Sequence, residues 1–241
     1  MNILALDIGN TKTTFFKEID GTLIFKRNIL TENLNYDTLK SYGEGCVVVV
    51  SSVVKSQTEK IASCIKLNPF FVDSSKIFFK HEYSNISSLG ADRISNISAA
   101  IDLYKKSTIV FDFGTCITSE VIDSSGTFVG GFIFPGINLL AKSMNSYTSQ
   151  LPLVDTSTFE NTNPNSTESA IKNGIFNGVT GLLSKFIESM SSEYKTEFKV
   201  IATGGYAKMV KEKFLRIDEV VPNLSFIGMK RVLREWYKNV Y

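Results

Sequence analysis

At 241 residues, with 43% hydrophobic and 21% charged residues, the chain is long enough for one large domain or two of roughly 100 to 120 residues, and too apolar to be disordered. A net charge of +2 excludes nucleic acid or an anionic membrane as a default partner, and no apolar run approaches the roughly 18 residues of a membrane span. Cys46, Cys64 and Cys116 are sparse and lack metal-ligand spacing, the pattern of free thiols in a reducing cytoplasm.

The first predicted element is a strand, Ile3 to Asp7, apolar until it delivers a carboxylate to its end. With Asp7 inside it and no basic leader, it reads as a strand and not as a signal peptide. Turns at Gly9-Asn10 and Asp20-Gly21 lead into strands at Thr13 to Ile19 and Thr22 to Arg27, an antiparallel meander. Cys46 to Val50 is a continuous apolar run typical of a central parallel strand; it ends in Ser51-Ser52, and a helix is expected over Val53 to Leu67. Strands feeding helical crossovers bind ligands at their carboxyl ends, so Gly9, Ser51 and Gly114 are expected to open on one edge.

Phe70 to Phe79 reads as two short strands about a turn at Asp73-Ser74-Ser75. A polar loop from Tyr83 to Leu89 then enters a helix in which Ile94, Ile97, Ile101 and Tyr104 recur at helical spacing and bury one face. Asp92 and Arg93 fall in its first turn. The helix N-terminus favours negative charge, so a carboxylate there serves as readily to start a helix as to act as a base.

The opening pattern then returns. Thr108 to Asp112, Cys116 to Ile122 and Thr127 to Phe132 are predicted strands, and Asp112-Phe113-Gly114-Thr115 repeats the strand-end Asp, the glycine and the hydroxyls of Asp7-Ile8-Gly9-Asn10-Thr11. An ionised carboxylate at the end of a buried strand needs a cation or donors, because unpaired it costs several kcal/mol or neutralises itself. Glycine lets backbone N–H groups approach an anion, and Thr115 and Thr118 add donors, which together is the chemistry of a metal-phosphate site. Two such units about a hundred residues apart argue for a duplicated domain, divided as 1–105 and 106–241, with a carboxylate on each wall of a cleft.

Gly130-Gly131 and Pro135-Gly136 mark a tight corner before a helix from Ile137 to Tyr147. Leu151-Pro152 opens a linker rich in Thr, Asn and Ser, expected as a mobile surface loop through Ser166. Ser166 or Thr167 caps a long helix with Ala170, Ile171, Ile175, Leu182, Leu183, Phe186 and Ile187 on its apolar face. Gly174 and Gly178 leave it room to pack closely, including against a second subunit. The strand Lys199 to Thr203 ends in Gly204-Gly205, which suits a strand-to-helix turn or a flat ligand such as a purine. Leu224 to Ile227 is expected as a last strand and Met229 to Tyr237 as a closing amphipathic helix. Cys116 is expected as a small core residue and His81 as a loop residue.

In their order, Asp7-Ile8-Gly9-Asn10-Thr11, Gly90-Ala91-Asp92-Arg93, Asp112-Phe113-Gly114-Thr115, Gly130-Gly131 with Pro135-Gly136, Leu151-Pro152, Gly174-Ile175 and Thr203-Gly204-Gly205 resemble the type III pantothenate kinases. The resemblance extends to Pro222-Asn223-Leu224 and Gly228-Met229. It implies an α/β fold of the acetate and sugar kinase, heat-shock ATPase and actin superfamily: two duplicated ribonuclease H-like domains around a central ATP cleft. It also implies ATP-dependent phosphorylation of pantothenate, the first step of coenzyme A biosynthesis, by a cytoplasmic homodimer that uses Mg²⁺ and a monovalent cation, K⁺ or NH₄⁺.

By the same resemblance Asp7, Ile8, Gly9, Asn10, Thr11, Lys12, Thr13 and Thr14 form the first phosphate loop, and Thr115 contacts ATP. Asp112 is the monovalent-cation ligand and Asp92 the general base. Tyr83, Gly90, Ala91, Asp92, Arg93 and Thr167 bind substrate, with Thr167 reaching a neighbouring subunit's site. Phosphoryl transfer asks for charge neutralisation, alignment and a proton acceptor, and Asp7 would hold Mg²⁺ through water. Arg93 suits a substrate carboxylate, a transferring phosphate or a structural salt bridge equally. Lys12, Glu120 and Ile86 depart from the family's usual residues. A kinase of another small hydroxy acid or alcohol, or a nucleotide-binding regulator, would share the phosphate motifs; Gly90 to Arg93 argues against the first and a retained Asp92 against the second.

Overall fold

A computed structural model of the protein describes residues 1–63, 68–159 and 163–240. The chain forms two compact units, Met1–Tyr104 together with Asn223–Tyr241, and Lys105–Pro222.

The first unit is built on β1 (Ile3–Ile8). It pairs antiparallel with β2 (Lys12–Ile19), which pairs with β3 (Thr22–Leu30), and on its other side parallel with β4 (Val47–Ser52), which pairs with β5 (Phe70–Phe71). The order is β3-β2-β1-β4-β5. Strand alternation puts Leu4, Leu6, Ile8, Val48 and Val50 on one face, packed with Leu39 of α1 (Tyr36–Gly43) and Ile61 of α2 (Lys55–Ala62). Ala5, Asp7, Val49 and Ser51 lie on the opposite face. There Phe16, the register partner of Ala5, stacks on Phe226 of α7 (Leu224–Val240) with centroids 4.9 Å apart. Helix α3 (Ala91–Leu103) packs against α7 so closely that a Cβ on Gly228 would stand 1.7 Å from the Ser95 carbonyl oxygen.

The second unit repeats the plan. β6 (Thr108–Phe113), β7 (Cys116–Ile122) and β8 (Phe128–Gly130) form the meander, and β10 (Lys199–Gly204) and β11 (Glu219–Val220) add parallel strands, giving β8-β7-β6-β10-β11. β9 (Ile133–Pro135) pairs with the start of β7. Phe111, Phe113, Ile117 and Val121 meet α4 (Ile137–Tyr147), α5 (Thr167–Tyr194) and α6 (Ala207–Lys213) in one core. The duplication read from two short motifs is therefore a repeated strand order.

Several expectations are corrected. The division at 105/106 put the last helix in the second domain, but α7 belongs to the first unit because its apolar face packs on α3 and on the sheet of β1 and β4. Leu224 to Ile227 is the first turn of α7 and not a strand; a short apolar run fits either until its neighbours are known. Between Phe70 and Phe79 only Phe70–Phe71 is a strand, because the Asp73 side chain caps a 3₁₀ turn, Ser74–Lys76. The predicted helix from Val53 ends at Ala62 as described, with Cys64 and the rest of 64–67 outside the described residues.

α3 is buried on every side from Arg93 to Ala100 and not on one face. Cys116 is exposed, since it opens β7 beyond the packed part of the strand. The linker after Leu151 is pinned through buried Val154, Thr156 and Phe159, with Thr156 Oγ1 2.9 Å from Tyr206 Oη; 160–162 lie outside the described residues. α1 was missed altogether.

Candidate active site

In the first unit the turn between β1 and β2 is held from below. The Gly9 N–H donates to the Lys12 carbonyl at 3.0 Å, and the Thr31 hydroxyl, 4% exposed, donates to the Gly9 carbonyl at 2.7 Å. Thr31 Oγ1 also lies 3.0 Å from Thr13 Oγ1, and its N–H donates to the Thr11 carbonyl at 3.1 Å. Thr31 thus clamps Gly9 to Thr13, a role invisible in the sequence except as a hydroxyl placed directly after β3. Asp7, half-buried at the end of β1, shares its surroundings with two cations. Burial pushes the Lys26 ammonium down, Asp7 pulls it back up and Lys12 pushes it down again. Lys26 is further held by Asn223 Oδ1 at 2.9 Å and by the Phe16 ring 5.2 Å below it.

The start of α3 stands beside this turn. The Val53 N–H donates to the Ile8 carbonyl at 3.1 Å, and a Cβ on Gly90 would be 3.6 Å from Val53 Cγ1, so Val53 connects the end of β1 to the helix. The same Cβ would lie 2.5 Å from Asp92 Oδ1, which shows the Asp92 carboxylate folded back over Gly90. Oδ1 accepts the Arg93 N–H at 2.8 Å. Burial raises the Asp92 pKa above 3.8, and the Arg93 N–H and guanidinium only partly oppose it. Arg93 is 5% exposed, with its guanidinium 5.8 Å from the Tyr83 ring centroid. Tyr83, Val53, Gly90, Asp92 and Arg93 are therefore neighbours.

The second unit has its own turn. The Gly114 N–H donates to the Cys116 carbonyl at 3.0 Å, one residue tighter than the Gly9 turn. Gly136 packs over it, with its N–H on the Thr115 carbonyl at 3.0 Å; a Cβ there would meet the Thr115 and Gly114 oxygens at 2.4 and 2.5 Å. The Pro135-Gly136 motif thus braces the Gly114-Thr115 loop. Gly204, at φ +91°, lies against half-buried Asp112, and Oδ1 of Asp112 and the carbonyl oxygen of Phe113 stand 2.5 and 2.6 Å from where its Cβ would be.

A sequence model of the type III pantothenate kinase family matches residues 3–189. The chain belongs to that family. It is 34% identical to the type III pantothenate kinase of Sulfurihydrogenibium sp., over 87% of this chain and 90% of the relative, and 35% identical to that of Fervidobacterium nodosum, over 94% and 95%. Among solved structures it resembles a conserved Baf family protein from Campylobacter jejuni at TM-score 0.68 and 23% identity, covering 98% and 99% of the two chains. A ROK family glucokinase from Streptomyces griseus, solved with glucose and AMPPNP, gives TM-score 0.57 at 11% identity, covering 98% and 100%. The fold is the α/β architecture of duplicated ribonuclease H-like domains found in actin-like ATPases and sugar kinases.

A type III pantothenate kinase takes ATP as its phosphoryl donor. Among the described residues no cluster of three or more His, Cys, Asp or Glu is arranged to hold a metal ion. Asp7 offers one carboxylate near the end of β1, and Mg²⁺, which keeps much of its water, asks for only one or two from a protein. Asp112 offers a carboxylate near the end of β6, with its Oδ1 and the Phe113 carbonyl oxygen packed against Gly204. Thr167 is exposed at the start of α5, after an N-cap in which Ser166 Oγ accepts the Ser169 N–H at 3.2 Å. It lines an apolar groove of 590 Å³ between α4 and α5, with Phe134, Met144, Ile171, Gly174 and Gly178, and nothing stands within 4 Å of where a Cβ on either glycine would be.

Proposed function

We propose that this protein transfers the γ-phosphoryl group of ATP to the terminal hydroxyl of pantothenate, the opening step of coenzyme A biosynthesis, with Asp92 taking the hydroxyl proton. The observation that carries the Asp92 role is its setting: a carboxylate whose affinity for a proton is raised by burial, fixed by the Arg93 N–H at the start of α3. Family membership supports the substrates, ATP and pantothenate. The turn from Asp7 to Thr14 receives phosphate oxygens, and Thr115 adds a hydroxyl to ATP. Bound Mg²⁺ supplies charge neutralisation along the phosphates, and K⁺ or NH₄⁺ at Asp112 does so at a second point. Asp7 would hold Mg²⁺ through water. Arg93 is the counter-charge for an anionic group of the substrate, and Tyr83 orients it by stacking. Gly90 leaves room for the Asp92 carboxylate folded over it, and with Ala91 it forms the backbone beside the acceptor.

The α4–α5 groove is the surface for a second copy of the chain, which brings Thr167 to the neighbour's substrate. The proposed working form is a cytoplasmic homodimer; no helix among the described residues is long and apolar enough to cross a membrane.

The test is ADP release from Mg²⁺-ATP and pantothenate, run in parallel with K⁺ or Na⁺ as sole monovalent cation. Pantothenate-dependent release is expected, strong in K⁺ and weak in Na⁺. ATP binding without acceptor-dependent release, or faster release with another small hydroxy acid, would reject pantothenate as the acceptor.

A further inference from the structure

β4 is a run of four valines that changes to Ser51 at one register position, the one paired with Asp7. Ser51 is 0% exposed, and its hydroxyl has no hydrogen-bond partner among the described residues. A buried hydroxyl without a partner costs about 1–3 kcal/mol, so alanine or valine would serve the strand better on packing grounds alone. Neighbouring residues in register on adjacent parallel strands project from the same face of the sheet, which puts the Ser51 hydroxyl and the Asp7 carboxylate side by side on the face toward α3 and α7.

We propose that Ser51 is a positioning residue for Asp7. Its hydroxyl donates to the Asp7 carboxylate, directly or through one water, when Mg²⁺-ATP is bound, and fixes the carboxylate orientation that the phosphate loop needs. A hydrogen bond to a charged acceptor is among the stronger ones, and it is made where the side chain is already desolvated. The inference rests on the proposed kinase reading but concerns the nucleotide half of it.

The experiment uses full-length protein with Ser51→Ala, Ser51→Cys, Asp7→Asn and the Ser51→Ala/Asp7→Asn double variant. Melting temperature is measured without nucleotide, Mg²⁺-ATP affinity by calorimetry, and kcat and KM with pantothenate. Ser51→Ala is expected to melt no lower than wild type, to weaken Mg²⁺-ATP binding about ten-fold, and to leave the KM for pantothenate within two-fold. Ser51→Cys should fall between the two. In the Asp7→Asn background the Ser51→Ala loss should shrink below about two-fold, since the hydroxyl acts through that carboxylate. Wild-type ATP affinity in Ser51→Ala, or an undiminished loss in the double variant, would overturn the assignment. Failure of wild type to phosphorylate pantothenate would reject the acceptor while leaving the nucleotide arm to decide Ser51.

Discussion

At the scale of single residues, Asp92 makes the sharpest demands. Its folded pKa is raised above 3.8 by burial, so between 3.8 and that higher value the folded protein holds a proton that the unfolded chain has released. Stability therefore falls as pH rises through this window, and the penalty is complete above the folded pKa. Asp92→Asn should melt higher than wild type at neutral pH and equally below 3.8, which melting curves against pH will show. The same variant should lose about a hundred-fold or more in kcat while keeping ATP affinity within a few-fold, and the acid limb of the wild-type kcat/KM profile should lie above that of an ordinary aspartate. For Asp112→Asn a K⁺ titration of turnover should flatten; an unchanged K⁺ response would remove the cation from that carboxylate. Asp7, Asp92 and Asp112 stood out in the sequence because each sits in a short motif whose chemistry is local. Thr31 did not, because its meaning lies in Gly9, which sequence separation hides; Ser51 was marked only as a strand end, and its register partner Asp7 lies 44 positions away.

At the scale of elements, the crossing of α3 and α7 decides where Asp92 stands. Gly228 is the only residue type that fits at this contact, because a Cβ would come within 1.7 Å of the Ser95 carbonyl oxygen. Backbone cannot yield as a flexible side chain does, so Gly228→Ala should cost about 3 kcal/mol or more, read as a fall in melting temperature, and any folded fraction should turn over slowly because α3 has been pushed aside. The long helices were legible: α4 has the predicted bounds, and α5 begins at the predicted cap, because sustained apolar spacing and a serine cap are strong signals. α1 escaped notice because its eight residues carry little apolar pattern and its start is set by the Asn35 side chain, which accepts the Asp37 N–H at 2.8 Å. Asp73 did the same for the 3₁₀ turn that replaced a strand.

At the scale of the molecule, the repeated strand order could be read from sequence because a strand-end Asp and a following glycine survive in both copies. The return of α7 to the first unit could not, since Gly228 and Phe226 find their partners, Ser95 and Phe16, more than a hundred positions away. Removing residues 224–241 should therefore strip Phe16 and α3 of their cover and leave the first unit unable to fold, which loss of near-ultraviolet circular dichroism and of ATP binding will report. The same return has a consequence for synthesis. A ribosome delivers the first sheet early but its covering helix only after the second unit, since everything that unit needs between Lys105 and Pro222 has emerged before that helix does. The nascent first half must wait, its apolar face open to chaperones, and stalled chains ending near Pro222 should resist protease in their second half before their first.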